Sequence, residues 1–330
     1  MIRKIKRTFN YGITCYTYIT EFDWKVALYS FLSYLYHPNN ALGRKIVQGK
    51  ERAIKNYIYG CSNVIQAEYK EFDIQGKPIL PDSNIWICWW QGIENAPELV
   101  KLCIESIKRN ANNHKVVVLT EKNYKNYIKL PDYIVEKYQN RKMCSANFAD
   151  VLRISLLAEH GGIWLDATIF MTDSFDSSIY QYPFCSNKRI NQPKSLLYPA
   201  QGRWGTYFLA GGQDNILFYY VRDVFYEFWK NHDMVIDYGM IDFIILLGYD
   251  TNSQIQTIID QSPALNEHIH YLLPRLNDKF DSDFYEKISK STNLHKLTYK
   301  QKLEKKCGIE LTFYGEICES VYKQEKEKID

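Results

Sequence analysis

The stretch FADVLRISLLAEHGGIWLDATIF, residues 148–170, decides the fold. Its first half places Phe148, Val151, Leu152, Ser155 and Leu156 on one helical face, and Gly161-Gly162 follow where a helix ends in left-handed backbone. The apolar run IWLDATIF then reads as a strand carrying one carboxylate, Asp166, among residues of buried type. A carboxylate left desolvated and unpaired there costs several kcal/mol, so a cation, a ring of donors or a metal must meet it. A helix that ends in Gly-Gly and feeds a strand leaves Asp166 near the strand's C-terminal end, where open α/β sheets hold their ligands. Thr168, two residues on, points to the same side of such a strand. Asp150 and Arg153, three apart, are neighbours on the helix surface.

Working upstream, NIWICWW (84–90) is a short continuous apolar run of strand type. A helix with Leu99, Leu102, Cys103, Ser106 and Ile107 inward follows it, then the β-branched run HKVVVLT (114–120). Strand, helix, strand predicts a βαβ unit and hence a parallel sheet. A further helix is expected from about residue 121. Downstream, DNILFYYVRDVFYEFWKNH and MIDFIILLGYD read as two buried helices. The tail from 276 is polar, with TNLHKLTYK and IELTFYG as candidate strands. QGKPILPDS (75–83), with two prolines and a glycine, is the best boundary in the chain. The domain reading is a mainly helical extension over 1–80 and an α/β domain over 81–330.

Composition excludes several classes. With 46% hydrophobic and 24% charged residues the 330-residue chain is neither disordered nor fibrous. A net charge of +3 is too mild for a nucleic-acid partner. The charge is uneven, however: residues 1–60 hold ten Lys and Arg against three Asp and Glu. That extension either lies on an anionic membrane surface as a peripheral contact or caps the α/β domain. Eight cysteines form no CxxC pair and no zinc-like cluster, which points to reduced thiols in the cytoplasm. No apolar run is long enough to span a membrane. Aromatic residues make up 15%, which suits either stacking on sugars and bases or a large core.

FADVLRISLLAEHGGIWLDAT resembles the core signature of the capsular polysaccharide synthesis proteins and the related family 32 glycosyltransferases, D-x-x-R, then L, then G-G-x-aromatic-x-D-x-D. IWICWWQGIENAPELVKLCIESIKRN is similar to that family's opening W-x-x-W-x-G, A-P and S elements, so the resemblance covers about 84–172. It implies a Rossmann-like, GT-A type α/β catalytic domain that uses a nucleotide-sugar donor, a UDP-sugar first among them, and retains anomeric configuration. Carried over by position, Ile87, Trp89 and Gln91 would line the nucleotide base pocket. Asp150 and Arg153 would contact the donor sugar and ribose-phosphate region, beside Trp164 of the motif. Asp166 would open a metal-binding D-x-D whose second place here is Thr168, holding Mn²⁺ or Mg²⁺ against the donor diphosphate. A late residue would close over the diphosphate, and His295, with Lys296 and Lys300, is the candidate.

Two further features stand outside that signature. Gly211-Gly212 with Asp214 and Asn215 is either a loop with a helix N-cap or a sugar contact. Asp242, an acid inside an apolar helix, needs a partner and joins Asp150 and Asp166 as a candidate catalytic carboxylate. The expected function is transfer of a sugar to a hydroxyl of a growing capsular repeat unit, carried on polyprenyl diphosphate at the inner face of the cell membrane. The alternative is a non-catalytic nucleotide- or sugar-binding subunit on the same fold, with a decayed metal site. Retention of Asp150, Arg153 and Asp166 favours the enzyme.

Overall fold

The computed structural model describes residues 16–36, 38, 40–72, 76–189 and 199–326, with side chains to 321. The first basic cluster, Arg3, Lys4, Lys6 and Arg7, lies outside them. Strands β1 (Ile85–Cys88), β2 (Val116–Leu119) and β3 (Gly162–Leu165) pair in parallel, with β1 in the middle. Helix α4 (Glu98–Asn110) makes the crossover expected between β1 and β2. Its Glu98 in the first turn and Lys108 and Arg109 in the last complement the helix dipole. The sheet is mixed: β6 (Phe208–Gly211) runs antiparallel to β3, and β5 (Phe184–Ser186) antiparallel to β6, giving the order β2-β1-β3-β6-β5.

The decisive stretch folds as helix α6 (Ser145–His160) followed by two strands rather than one. Beyond β3 the chain turns at Asp166, whose backbone N–H donates to Tyr207 O at 3.0 Å and whose carbonyl accepts from Ile169 at 2.9 Å. The remaining residues become β4 (Ile169–Met171), which leaves the main sheet to pair with β7 (Leu294–Lys296). Gly161 and Gly162 have φ of +65° and +100°, and a Cβ on Gly162 would sit 2.5 Å from Asn84 O. Both the backbone conformation and the closeness of β1 therefore demand glycine.

The helix expected from 121 is corrected to a single 3₁₀ turn, Tyr124–Asn126, followed by α5 (Asp132–Gln139). Asn123 prevents continuous helix there: its side chain accepts from Thr120 N and donates to Val118 O, a local alternative to the helical ladder. Pro131 then starts α5 at a position where its missing N–H costs nothing.

Strand alternation sends side chains to two cores. Trp86 and Trp164 face one cluster, shared with α6, α7 (Ile216–Asn231), α8 (Met240–Thr251) and α9 (Ser253–Gln261). Ile85, Ile87, Ile163 and Leu165 face the other, against α4. The helices of the N-terminal extension, α1 (Trp24–Leu35), α2 (Ala41–Cys61) and α3 (Asn63–Lys70), bury Val26, Ile54, Ile58 and Tyr69 in the first of these clusters. Gln66 and Tyr69 add hydrogen bonds of 2.6 Å to Tyr220 and Asp223 of α7.

The polar tail is structured over its described residues, 276–326. Helices α10 (Ser282–Ser289) and α11 (Phe313–Lys326) pack Ile288, Phe313 and Ile317 with Leu99, Leu102 and Cys103, on the flank of α4 turned away from the sheet. IELTFYG ends in the first turn of α11, from Phe313, and only Glu310–Leu311 (β9) is strand, pairing with β8 (Lys306–Cys307).

Candidate active site

Asp166 sits at the C-terminal end of β3 and is met by three donors. Its Oδ1 accepts from Arg153 Nη2 at 2.9 Å and Trp164 Nε1 at 3.1 Å, and its Oδ2 accepts from Lys296 Nζ at 2.7 Å. Burial disfavours the charge, but the Lys296 ammonium and Arg153 guanidinium outweigh it and hold the carboxyl at about 2. Lys296 Nζ also donates to Thr168 Oγ1 at 2.7 Å. The question raised by a lone carboxylate in an apolar strand thus has its answer in two cations of this chain.

Arg153 extends the network the other way. Its Nη1 donates to Asp150 Oδ1 at 2.9 Å, and its guanidinium lies 4.8 Å from the centre of the Trp164 ring. One planar fork therefore ties a residue one helical turn away to the end of β3. Burial pushes the Asp150 carboxyl up to about 7; Arg153 opposes the rise, while Asp166 and Asp242 add to it. The helix interior alone would leave Arg153 unable to pay for its own desolvation; two carboxylates and an aromatic face make the site viable.

Asp150, Arg153, Trp164, Asp166 and Thr168 line a cleft of about 740 Å³ whose far wall comes from other parts of the chain. Asp242, in the first turn of α8, accepts from Trp204 Nε1 at 2.8 Å, and burial raises its carboxyl to about 6. Asp237 pairs with Lys50 of α2 at 2.7 Å, so the helical extension forms part of the cleft wall. Tyr238, 76% exposed, stands at the same wall with its ring open to solvent.

Of the other residues singled out in the sequence, Trp89 and Trp164 line the cleft. Trp89 meets Tyr299 edge-on at 5.5 Å, and its indole Nε1 is buried without a partner among the described residues. Trp90, on the other side, packs against Tyr124, Tyr138 and Phe148.

Three expectations need correction. Ile87 is fully buried in the core beneath α4: it shares a face with Trp89 but lies two residues further inside, within β1 rather than at its end. Gln91 is exposed and lies outside the described cleft lining. His295 is sealed in β7 opposite Phe170, with neither ring nitrogen partnered among the described residues, and burial lowers it to about 4. Its neighbour Lys296, on the other face of the strand, is the residue that reaches Asp166. Of the two readings of Gly211-Gly212 with Asp214 and Asn215, the loop with a helix N-cap agrees with the geometry: a Cβ on Gly212 would lie 2.0 Å from Lys77 O, and Asn215 caps α7 by accepting from Leu217 N. Asp214 pairs with Lys77 at 2.6 Å.

Asp237, Lys50 and Tyr238 were not readable as site residues. Each belongs to an ordinary sequence context, and only the packing of α2 beside α8 brings them to the cleft.

Over residues 36–317 the chain matches the family described as "Capsular polysaccharide synthesis protein". The chain belongs to that family. No curated protein matches it. A solved chain described as "PaToxG Glycosyltransferase" is similar at 13% identity and a TM-score of 0.39, covering 78% of this chain and 100% of that one, a likeness too distant to carry an argument.

In this capsular polysaccharide synthesis protein, Asp166 and Thr168 do not make a shell for Mn²⁺ or Mg²⁺. The point within reach of both is taken by the Lys296 ammonium. The remaining Asp166 oxygen is bonded to Arg153 and Trp164, and Asp150 is bonded to Arg153. Among the described residues no three His, Cys, Asp or Glu side chains gather as a cation shell. A hard divalent ion wants several oxygen ligands without a competing ammonium, and the donor set here is one carboxylate and one hydroxyl.

Proposed function

We propose that this protein is a glycosyltransferase of GT-A type, moving a sugar from a nucleoside-diphosphate donor, a UDP-sugar, to a hydroxyl of a growing polyprenyl-diphosphate-linked oligosaccharide, with retention. The observation that supports it most is the Asp150–Arg153–Asp166–Lys296 chain of charges at the C-terminal edge of parallel strands, opening on a cleft of about 740 Å³. Membership of a capsular polysaccharide synthesis family supports a polysaccharide product.

In this reading the nucleotide base lies against the ring of Trp89, which lines the cleft. The diphosphate lies by Arg153 and Lys296, and the sugar by Asp150. The acceptor enters along the wall built from Asp242, Tyr238 and α2. The bond from the anomeric carbon to the phosphate oxygen breaks, and a bond from that carbon to the acceptor oxygen forms on the same face. The acceptor's proton passes to the released diphosphate, so no separate general base is required. Fixed cations at the diphosphate are worth most as charge builds on the leaving group.

Calorimetric titration of UDP and of GDP into the full chain tests the donor. Micromolar binding of one of the two is the expected result. Binding of neither would sink the donor reading and favour the non-catalytic alternative.

A lipid-linked acceptor calls for a membrane surface. Trp24, Leu28 and Leu35 lie within one arc of α1 and are exposed, with Lys25 beside Trp24, and Arg44 and Lys45 in the first turns of α2 are exposed as well. Apolar anchors with basic neighbours suit reversible binding to an anionic surface. Among the described residues no helix is long and apolar enough to cross a membrane. Sedimentation with vesicles containing an anionic phospholipid is expected, and Trp24→Ser with Leu28→Ser and Leu35→Ser should reduce it about tenfold or more. Equal sedimentation of the triple variant would remove this surface from the proposal.

A further inference from the structure

We infer that Lys296 is a built-in cation of the donor site: its ammonium, fixed between Asp166 and Thr168, binds the donor diphosphate where a divalent metal would otherwise stand, so that donor binding needs no metal. The inference rests on the proposal that the cleft takes a nucleoside-diphosphate donor.

The backbone places Lys296 for this. β7 pairs with β4 in a register that sets Lys296 opposite Ile169, just past the Asp166 turn. Lys296 N donates to Ile269 O at 2.8 Å, and Leu297 N donates to Thr168 O at 2.9 Å, so the strand is held on both sides of the residue. Alternation then puts His295 into the core and the Lys296 stem toward the site. The ammonium spends two of its three N–H donors on Asp166 Oδ2 and Thr168 Oγ1, both on cleft-lining residues. The third remains for a phosphate oxygen, and the side chain keeps 22% of its surface open. The Tyr207 ring lies 5.7 Å from Nζ and adds its negative face to the cradle.

Charge arithmetic explains why threonine stands two residues after Asp166. A divalent cation between two carboxylates sums to zero. A lysine ammonium between one carboxylate and one hydroxyl also sums to zero. A second aspartate at 168 would leave the pair with an excess negative charge facing the diphosphate, whereas threonine supplies an acceptor without one. Thr168 and Lys296 are thus complementary: the hydroxyl orients the ammonium, and the ammonium supplies the positive charge. Arg153 adds a second fixed cation on the other Asp166 oxygen. Lysine is a compact phosphate binder of this kind, a point charge with rotatable donors.

The test is calorimetry of UDP and GDP on the full wild-type chain, first in EDTA and then with excess Mn²⁺. The expected result is a Kd that changes by less than about threefold between the two conditions. Lys296→Ala should weaken nucleoside diphosphate binding by about tenfold or more while leaving the corresponding nucleoside unchanged, which places the loss at the phosphates. Circular dichroism and a melting curve check that the variant is folded, and the wild-type titration stands independently of it. Binding that appears only with Mn²⁺ would overturn the inference and leave the donor reading intact. Unchanged diphosphate affinity in folded Lys296→Ala would overturn it as well. Absence of any nucleoside diphosphate binding would overturn both.

Discussion

Replacing Asp166 by alanine is expected to destabilise the protein by about 3–5 kcal/mol and to lower glycosyl transfer by about two to three orders of magnitude. The stability loss follows from what remains. Arg153 keeps one partner, Asp150, and Lys296 keeps only the Thr168 hydroxyl, with side chains 8% and 22% exposed. Two cations would then face each other across a void without the anion that joins them, and an uncompensated buried charge costs more than the pair contributed when intact. The activity loss has a separate origin, because those cations are the groups proposed to meet the leaving diphosphate and Asp166 sets their positions. Asp166→Asn keeps the shape and one acceptor, so it should fall between wild type and alanine in stability.

The pH dependence checks the assignment. The Asp166 carboxyl sits at about 2 in the folded state, below its ordinary 3.8. A lowered folded value means stability that is present above the ordinary carboxylate range and lost as pH falls through about 2. Urea unfolding at pH 7 should show the full gap between wild type and Asp166→Ala, and the gap should narrow steadily below pH 4. A gap that is constant with pH would show that shape, not charge, sets it.

Much of this arrangement is legible in the residues themselves. The βαβ unit, the Gly-Gly break and the position of Asp166 at a strand end all follow from local rules, because periodicity, glycine geometry and the cost of a buried charge act within a few residues. Asp150 and Arg153 as neighbours follow from helical spacing. The partner of Asp166 does not. Lys296 lies 130 residues later in a polar segment, and choosing it over His295 requires the register of a three-residue strand. A strand that short leaves no alternation to read, so the histidine attracts attention by residue type while the lysine carries the contact. Likewise β5 and β6, FCS and FLAG, are too short to announce themselves, and they join the sheet through antiparallel pairs in which Gly211 faces Gly162 on one side and Phe184 on the other. The aromatic content is divided: Trp86, Trp90 and Trp229 build the core, Trp89 lines the cleft, and Trp164 and Trp204 belong to the core while their indole N–H groups bond the cleft carboxylates Asp166 and Asp242.

Asp150→Asn is expected to stabilise the protein at pH 8 by up to about 4 kcal/mol while reducing its activity. Asp150 is nearly buried, and that burial, with Asp166 and Asp242 nearby, raises its carboxyl from 3.8 to about 7 even though Arg153 pulls the other way. A raised folded value means that the folded state holds a proton the unfolded chain has released. Its stabilising effect is complete below the ordinary carboxylate range and is lost as pH climbs through about 7. Asparagine is neutral throughout and still offers an oxygen to Arg153 Nη1, so it keeps the 2.9 Å contact without the charge. The melting temperature of the variant should therefore exceed that of wild type at pH 8, and the two should converge near pH 4. A variant less stable than wild type at pH 8 would show that the Arg153 ion pair outweighs the desolvation. The wild-type rate should carry an ionisation near neutrality that the variant lacks, since a carboxyl held at about 7 exchanges its proton in the working range. An acid kept at such cost in a cleft is retained for what its charge does to substrate, and stability given up at one residue is the usual sign of a site under functional constraint.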